Sequence, residues 1–564
     1  MENKEYMLID GNPVEINGEK NLLEVIRKAG IELPTFCYHS ELSVYGACRM
    51  CMVENSHGGM EAACSTVPKA GMEIYTNTER LHKHRKMILE LLLANHCRDC
   101  TTCQKNGKCR LQELASLFGL ESIRFKNLKP EPELDTSSLS IIRDAHKCIL
   151  CGDCVRMCNE IQNVGAIDFV NRGSKMVIGP AFNEPIANSP CVGCGQCAAV
   201  CPTGAIVIRK DTGRVWPELN DKNTKVVAQV APAVRVAMAK EFGLPENENS
   251  MGRITAALRR LGFDEVYDTA TGADLTVLEE SNEFLQRIEA GENLPLITSC
   301  CPAWIQYCEK NHPELMKNIS TCKSPMQMFS SVIKAEYANS SRRVVCVAIM
   351  PCTAKKFECA REEFMHDGVP ETDYVITTQE LIQMIHKAGI VFEELEPEAV
   401  DSVFSTCTGA GVIFGVTGGV TEAVLRRLST DKSNKALMSI AFNDVRGMKG
   451  VKETTIPYGD KEVRIAIVSG LKNAESVIQA LKNGEHFDFI EVMACPGGCV
   501  AGGGQPFGTN ATKEVRGKAL YSADKMLSIK RSEENPLMIS LYDGVLKGRV
   551  HELLHVHYNH KEDE

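Results

Sequence analysis

Apolar and polar positions change period several times along the chain. Over "YMLIDGNPVEING" they alternate in short runs broken by Gly and Pro, which predicts short strands. "NLLEVIRKAG" follows with apolar residues at helical spacing and predicts a helix, so the chain opens on a β-grasp-like pattern. "RKMILELLLANHC" and "LQELASLFGL" predict helices between residues 81 and about 125. "LKPEPELD" is rich in proline and acid and reads as a linker. From about residue 213 onward, strand-like apolar runs alternate with helix-like segments, the pattern of α/β construction. Three of these runs, "NLPLIT", "RRVVCVAIM" and "FDFIEVMA", each lead into a cysteine-bearing loop.

A length of 564 residues implies several domains with room for buried cores. An apolar content of 44% and a charged content of 24% are ordinary for a globular protein. The net charge of -10 argues against nucleic acid or an anionic membrane as main partner. The start, "MENKEYMLID", has no apolar signal region, and no apolar run is long enough to span a bilayer, so a cytoplasmic location is expected. The 26 cysteines change the picture. They are grouped at two- and three-residue gaps in a long chain without a signal, which points to metal ligation rather than disulfides.

Cys37, Cys48, Cys51 and Cys64 form C-x10-C-x2-C-x12-C. Four thiolates suit a [2Fe-2S] cluster or a structural zinc, and the surrounding β-grasp pattern favours iron–sulfur. His96, Cys100, Cys103 and Cys109 form H-x3-C-x2-C-x5-C, which again permits zinc or iron–sulfur; the role of the adjacent Cys97 stays open. Cys148, Cys151, Cys154 and Cys158 form C-x2-C-x2-C-x3-C, and Cys191, Cys194, Cys197 and Cys201 repeat it before Pro202. This is the bacterial ferredoxin run, in which the fourth cysteine serves the other cluster. One [4Fe-4S] cluster is therefore expected on Cys148, Cys151, Cys154 and Cys201, and another on Cys191, Cys194, Cys197 and Cys158. The first 212 residues read as a line of redox centres that must deliver electrons elsewhere.

Ligand sites in open α/β sheets lie at the carboxyl ends of strands, so the three later loops are expected to converge. Together they offer Cys301, Cys352, Cys495 and Cys499, enough for one more cubane. Cys300 stands beside Cys301 in "TSCCPAW". Neighbouring side chains in an extended segment point to opposite sides, so the two thiols do not easily share one metal atom.

"TSCCPAW", "MPCTAKKFE" and "EVMACPGGCVAGGGQP" resemble the three signature motifs of [FeFe]-hydrogenases. The upstream groups resemble the accessory domains of the clostridial monomeric members, and the likeness runs from about residue 4 to 560. The resemblance implies 2 H+ + 2 e- = H2 at an H-cluster, a [4Fe-4S] cubane joined to a diiron unit carrying CO, cyanide and a bridging dithiolate. It implies that Cys301, Cys352, Cys495 and Cys499 hold the cubane and that Cys499 is shared with the diiron unit. Lys355 would donate to a cyanide, since a buried ammonium needs an anionic partner. Met350, Met493 and Phe414 would shield the diiron unit, with Ala231, Pro232 and Ser324 also against the cofactor. One [2Fe-2S] and three accessory [4Fe-4S] clusters are implied, the His96 group holding one of the three. Reduced ferredoxin or a similar small carrier is the implied electron partner, and maturation proteins supply the diiron unit.

The resemblance makes Cys300 the proton donor to the cofactor, a job that suits a thiol with an ordinary pKa of about 8.5. "TVLEESNEFLQR" sets Glu280 and Glu283 three residues apart on one helical face. With Ser320 between them and Arg287 at the outer end they would carry protons to the surface; Glu358 is expected to assist. Ala303, Met326, Cys322 and Ala233 depart from the common pattern and put surrounding hydrogen bonds in doubt. "HELLH" at 551–555, with His557 and His560 nearby, matches the zincin pattern, but a structural or surface role is favoured. The Gly-rich "GGCVAGGGQP" is read as close backbone approach to the cluster. Cys308, Cys346, Cys359 and Cys407 are read as core.

The expected architecture is α+β and multidomain. A β-grasp [2Fe-2S] domain (1–80) precedes a small helical [4Fe-4S] domain with one His and three Cys ligands (81–125). A ferredoxin-like 2x[4Fe-4S] domain (138–212) then leads to a large two-lobed α/β catalytic domain (213–564). Competing readings are an electron-transfer subunit, since residues 1–212 also resemble the iron–sulfur arm of NADH dehydrogenases, an iron–sulfur assembly protein, and a sensory hydrogenase. The three late loops and the set Cys300, Glu280, Glu283 and Lys355 favour the enzyme.

Overall fold

The computed structural model describes residues 5–127, 133–429, 445–447, 450–458 and 461–558. The linker "LKPEPELD" lies largely outside the described residues, as does His560. The chain forms two compact units. The first comprises residues 1–161, 165–189 and 200–207, and the second residues 162–164, 190–199 and 208–564.

In the first unit, strands Glu5–Ile9 and Asn12–Ile16 pair antiparallel, and Glu5–Ile9 runs parallel to Glu73–Tyr75. Met52–Asn55 and Met60–Ala62 complete a five-stranded sheet. Helix Leu22–Lys28 starts at Asn21, whose side chain accepts from the Glu24 amide at 3.1 Å. Its Leu22, Leu23, Val25 and Ile26 join Met7, Ile9, Val53 and Ile74 in the core. The helix pair predicted downstream is present as Glu79–Ala94 and Arg110–Leu117. Arg85 on the first of them is buried, and its guanidinium donates to Met50 O, Met52 O and Thr76 O. A buried cation is tolerated when its donors are satisfied, and these bonds tie the helix to the cysteine loop.

The second unit holds two four-stranded sheets. One is all parallel, in the order Glu265–Asp268, Thr224–Val230, Arg343–Met350, Tyr374–Thr377. The continuous apolar run "VVCVAI" suits a strand covered on both faces. In the other, Leu296–Ile297, Phe489–Met493 and Lys461–Ser469 run parallel, and Val451–Tyr458 closes the edge antiparallel. The two sheets match the α/β alternation read from the chain. Helix Ala270–Ala290 leaves the end of Glu265–Asp268 and ends at Gly291 in the left-handed region at φ 69. Among the described residues no helix is long and apolar enough to cross a membrane.

Candidate active site

Five strands drawn from both sheets end around one cavity of about 90 Å³ in the second unit. Ala231 and Pro232 follow Thr224–Val230, Thr269 follows Glu265–Asp268, and Pro351 and Cys352 follow Arg343–Met350. From the other sheet come Cys300 and Cys301, beyond Leu296–Ile297, and Cys495 and Cys499, beyond Phe489–Met493. The expected convergence of the three loops is thus a feature of the structure, and two sheets rather than one supply it.

Cys301, Cys352, Cys495 and Cys499 line this cavity together. Burial, then mutual repulsion, pushes the Cys495 thiol well up, and burial with Cys301 takes Cys352 up to about 11. Such a set resists ionising unless a multivalent cation compensates it, and an iron–sulfur cluster is that kind of partner. The sulfurs also receive donors: the Ala494 amide lies 3.4 Å from Cys301 Sγ, and Gln196 Nε2 lies 3.1 Å from Cys495 Sγ. The donor set fits a cubane. Met350, Met493, Phe414, Ala231 and Pro232 line the same space, whereas Ser324 is fully buried outside the lining and its neighbours Pro325 and Met326 take that place.

Lys355 lines the cavity and donates to Cys300 O at 3.3 Å. Burial opposes its charge, but Glu358 at 2.7 Å holds its pKa up. A buried carboxylate therefore already supplies the anionic partner that burial of this ammonium demands. Glu358 does not line the cavity; its place is behind Lys355.

The glycine run is crowded by protein backbone. A Cβ on Gly502 would stand 2.2 Å from Pro351 O, and one on Gly498, at φ +86, would stand 2.6 Å from the Thr417 amide. The need for glycine there comes from chain packing that brings the Cys499 loop against the Cys352 loop.

Cys300 is enclosed, and burial, then Glu280, pushes its thiol well above the ordinary value. Glu280 on helix Ala270–Ala290 is fully buried, and burial with Glu283 raises it to about 8. Ser320 Oγ donates to Glu283 Oε2 at 2.8 Å, the Thr321 amide donates to both Glu283 oxygens, and Arg287 Nη2 donates to Oε1 at 2.5 Å. Arg287 also donates to the carbonyls of Asn293, Asn318 and Ile319. The structure thus gathers Glu280, Ser320, Glu283 and Arg287 behind Cys300.

Sequence reasoning missed Gln196 and Glu491. Gln196 sits between Cys194 and Cys197, where cysteine spacing drew the attention. Glu491 is fully buried, accepts from the Gly418 and Thr421 amides at 2.7 and 2.8 Å, and secures the segment after Phe414. An acid inside the apolar run "FDFIEVMA" was its only signal.

The accessory cysteines also assemble. All 26 cysteines are free of disulfides. Cys48 N donates to Cys37 Sγ at 3.3 Å, and Cys51, Cys37 and Cys48 all raise the Cys64 thiol, so these four are neighbours. Burial, then Cys103 and Cys100, raises Cys109, while His96 is buried just past helix Glu79–Ala94. Cys148, Cys151, Cys154 and Cys201 line one cavity of about 20 Å³ in the first unit. Cys194 in the second unit is raised by burial, then by Cys197, Cys495 and Cys191, which places that trio beside the catalytic cavity. Cys158 belongs to the first unit and is half-buried. Cys308 and Cys346 are core residues, whereas Cys359 and Cys407 are only partly buried.

Comparison with known proteins bears on the whole length. Residues 224–503 match the family "Iron only hydrogenase large subunit, C-terminal domain", and 510–561 match "Iron hydrogenase small subunit". Residues 6–79 match a "2Fe-2S iron-sulfur cluster binding domain", 85–124 the "NADH-ubiquinone oxidoreductase-G iron-sulfur binding region", and 147–209 a "4Fe-4S dicluster domain". "NADP-reducing hydrogenase subunit HndD" of Solidesulfovibrio fructosivorans is 41% identical over 98% of both chains. "Iron hydrogenase 1" of Clostridium pasteurianum is 35% identical over 98% of this chain and 99% of its own. A solved [FeFe]-hydrogenase from Chlamydomonas reinhardtii is 37% identical with a TM-score of 0.53, covering 62% of this chain and 98% of that one. With its catalytic cysteines gathered in one cavity and full-length relatives at this level of identity, the chain belongs to the iron-only hydrogenases.

Proposed function

We propose that the protein interconverts protons, electrons and H2 at an H-cluster held by Cys301, Cys352, Cys495 and Cys499, with Cys499 shared with the diiron unit. The observation that carries this reading is the meeting of those four thiols with Cys300 and Lys355 in one cavity. When bound, the H-cluster supplies the redox centre at which two protons and two electrons become H2. The chain's own residues bring the protons and exclude water. Met350, Met493 and Phe414 form an apolar wall. Cys300 gives and takes the proton nearest the cofactor. Glu280, raised to about 8, is mostly protonated near neutral pH and so carries a proton it can hand inward. Ser320 links to Glu283, whose carboxylate is held ready by Arg287 and the Thr321 amide.

Cys37, Cys48, Cys51 and Cys64 would hold one [2Fe-2S] cluster and the His96, Cys148 and Cys191 groups three [4Fe-4S] clusters, in accessory domains 1–80, 81–125 and 138–212, and these would supply a path for electrons. The trio Cys191, Cys194 and Cys197 would hold the cluster that serves the catalytic cubane, since Gln196, set between Cys194 and Cys197, donates to Cys495 Sγ at 3.1 Å. Reduced ferredoxin is the proposed donor. A second reading follows from the relative described as a subunit of an NADP-reducing hydrogenase: electrons pass to or from a partner subunit that handles the nicotinamide. The test is an infrared spectrum of protein matured with the diiron unit, together with H2 evolution from reduced ferredoxin. Carbonyl and cyanide bands with turnover are expected. Their absence from folded, iron-loaded protein refutes the reading, and bands without ferredoxin-driven turnover favour the partner subunit.

A further inference from the structure

The stretch "HELLH" forms the short helix Val550–Leu554, after which His555 is extended. The Lys323 amide donates to Leu554 O at 2.8 Å and the Val556 amide to Thr321 O at 2.7 Å. These bonds lay residues 554–556 along the segment that carries Ser320, with Cys322 paired opposite His555. One ligand atom each from Glu283, Cys322 and His555 then lies within 4.8 Å of the other two. Cys322 Sγ is 3.8 Å from Glu283 Oε2.

The imidazole is oriented from behind. His555 Nε2 lies 3.0 Å from Glu279 Oε2, and a carboxylate only accepts, so Nε2 carries the proton. Nδ1 lies 2.8 Å from the Thr321 hydroxyl. Tyr542 OH in turn donates to the other oxygen of Glu279. A carboxylate behind an imidazole is the arrangement that fixes the tautomer and raises the basicity of metal-binding histidines. Thr321 joins the two sides, since its amide donates to Glu283.

Glu279 and Glu283 are carried by one helix and are balanced by Arg287 on Glu283 and Arg427 near Glu279, while Glu280 between them holds its proton near neutral pH, so the case for a cation rests on the donor geometry. Thiol, imidazole and carboxylate together are a zinc-type donor set. Zinc bond lengths of about 2.0–2.3 Å call for tetrahedral donor separations of roughly 3.3–3.7 Å, so the three need close by only about 1 Å. The exposed His551 ring, with its centroid 4.7 Å from that of His555, marks the entry side.

We propose that Glu283, Cys322 and His555 form a site for a divalent cation of the zinc class, with Glu279 orienting His555, and that occupancy stops proton flow at Glu283. The blocking half rests on the relay reading above; the binding half does not. The test titrates anaerobic, matured holoenzyme with Zn2+ alone by calorimetry while H2 evolution and the infrared bands are followed. One zinc site per chain is expected in the wild type, missing in both Cys322→Ala and His555→Gln. Glu279→Gln should weaken it about 10–100-fold, the usual cost of losing such an orienting partner. Turnover at saturating zinc should fall by about 10²-fold or more, with the infrared bands unchanged. Equal zinc uptake by the wild type and by both variants, each retaining its infrared bands, overturns the site. Zinc bound at this site with undiminished turnover upholds the site and removes Glu283 from the relay.

Discussion

Gln196 reaches Cys495 Sγ with one amide hydrogen and Ala501 O, at 2.9 Å, with the other. Replacing it by leucine keeps the bulk and removes a neutral donor from a cluster thiolate. An N–H dipole aimed at sulfur favours the more negative, reduced cluster, so its loss lowers the midpoint potential. A hydrogen bond of this kind contributes about 0.5–1.5 kcal/mol net, and reduction places only part of an electron on one sulfur. A differential of about 0.5–1 kcal/mol remains, which at about 59 mV per tenfold for one electron is a drop of roughly 20–40 mV. The assay is an infrared-monitored electrochemical titration of matured wild type and Gln196→Leu. Gln505→Leu is the control: its amide donates to Ala233 O at 2.8 Å and touches no thiol, so it should leave the midpoint in place. An unchanged or raised midpoint in Gln196→Leu would refute the reasoning.

Three further expectations follow from the same geometry. Cys300→Ala should keep every carbonyl and cyanide band yet lower H2 evolution by about 10²–10⁴-fold, the usual cost of losing a positioned acid; wild-type turnover would remove Cys300 from the relay. Glu280 has a folded pKa raised to about 8, so the folded protein binds its proton more tightly and stability falls as pH rises from the ordinary carboxylate value through 8. Glu280→Gln should flatten that slope in urea unfolding, and an unaltered slope counts against the shift. Lys323 and Glu371 are an ion pair only 1% and 2% exposed, so Glu371→Ala should cost about 3–5 kcal/mol, while Lys323→Met with Glu371→Leu should regain most of it in a calorimetric melt.

The two kinds of cysteine site were legible to different degrees. The ferredoxin repeat could be read because its ligands are close in sequence, and spacing alone carries Cys148, Cys151 and Cys154. The catalytic set draws on loops nearly 200 residues apart, and strand periodicity indicated only that the loops end strands. That two separate sheets aim those loops at one cavity is a matter of packing, which no local pattern records. Glu358 could be read only as lying near the site for a similar reason: its place as the counter-charge of Lys355 depends on one helical turn in a buried place. Gln196 and the His555–Glu279 pair were hidden because neutral amides and terminal histidines carry little signal until something is seen opposite them.

The placement of residues 190–199 in the second compact unit bears on where this protein can be shortened. Cutting at residue 213 looks natural from the cysteine spacing, yet it would strip Gln196 from Cys495 and the Gly193 carbonyl from Thr353 Oγ1, 2.7 Å away. It would also remove the Cys191 carbonyl that Lys310 Nζ grips at 2.9 Å. The backing of Cys495 and Thr353, just outside the cavity lining, would be laid open to solvent. A smaller working version is better sought by retaining Pro190–Ala199 as a grafted patch than by excising the catalytic domain at its apparent seam. By the same token, a lineage that discarded the accessory electron line would have had to cover Cys495 anew.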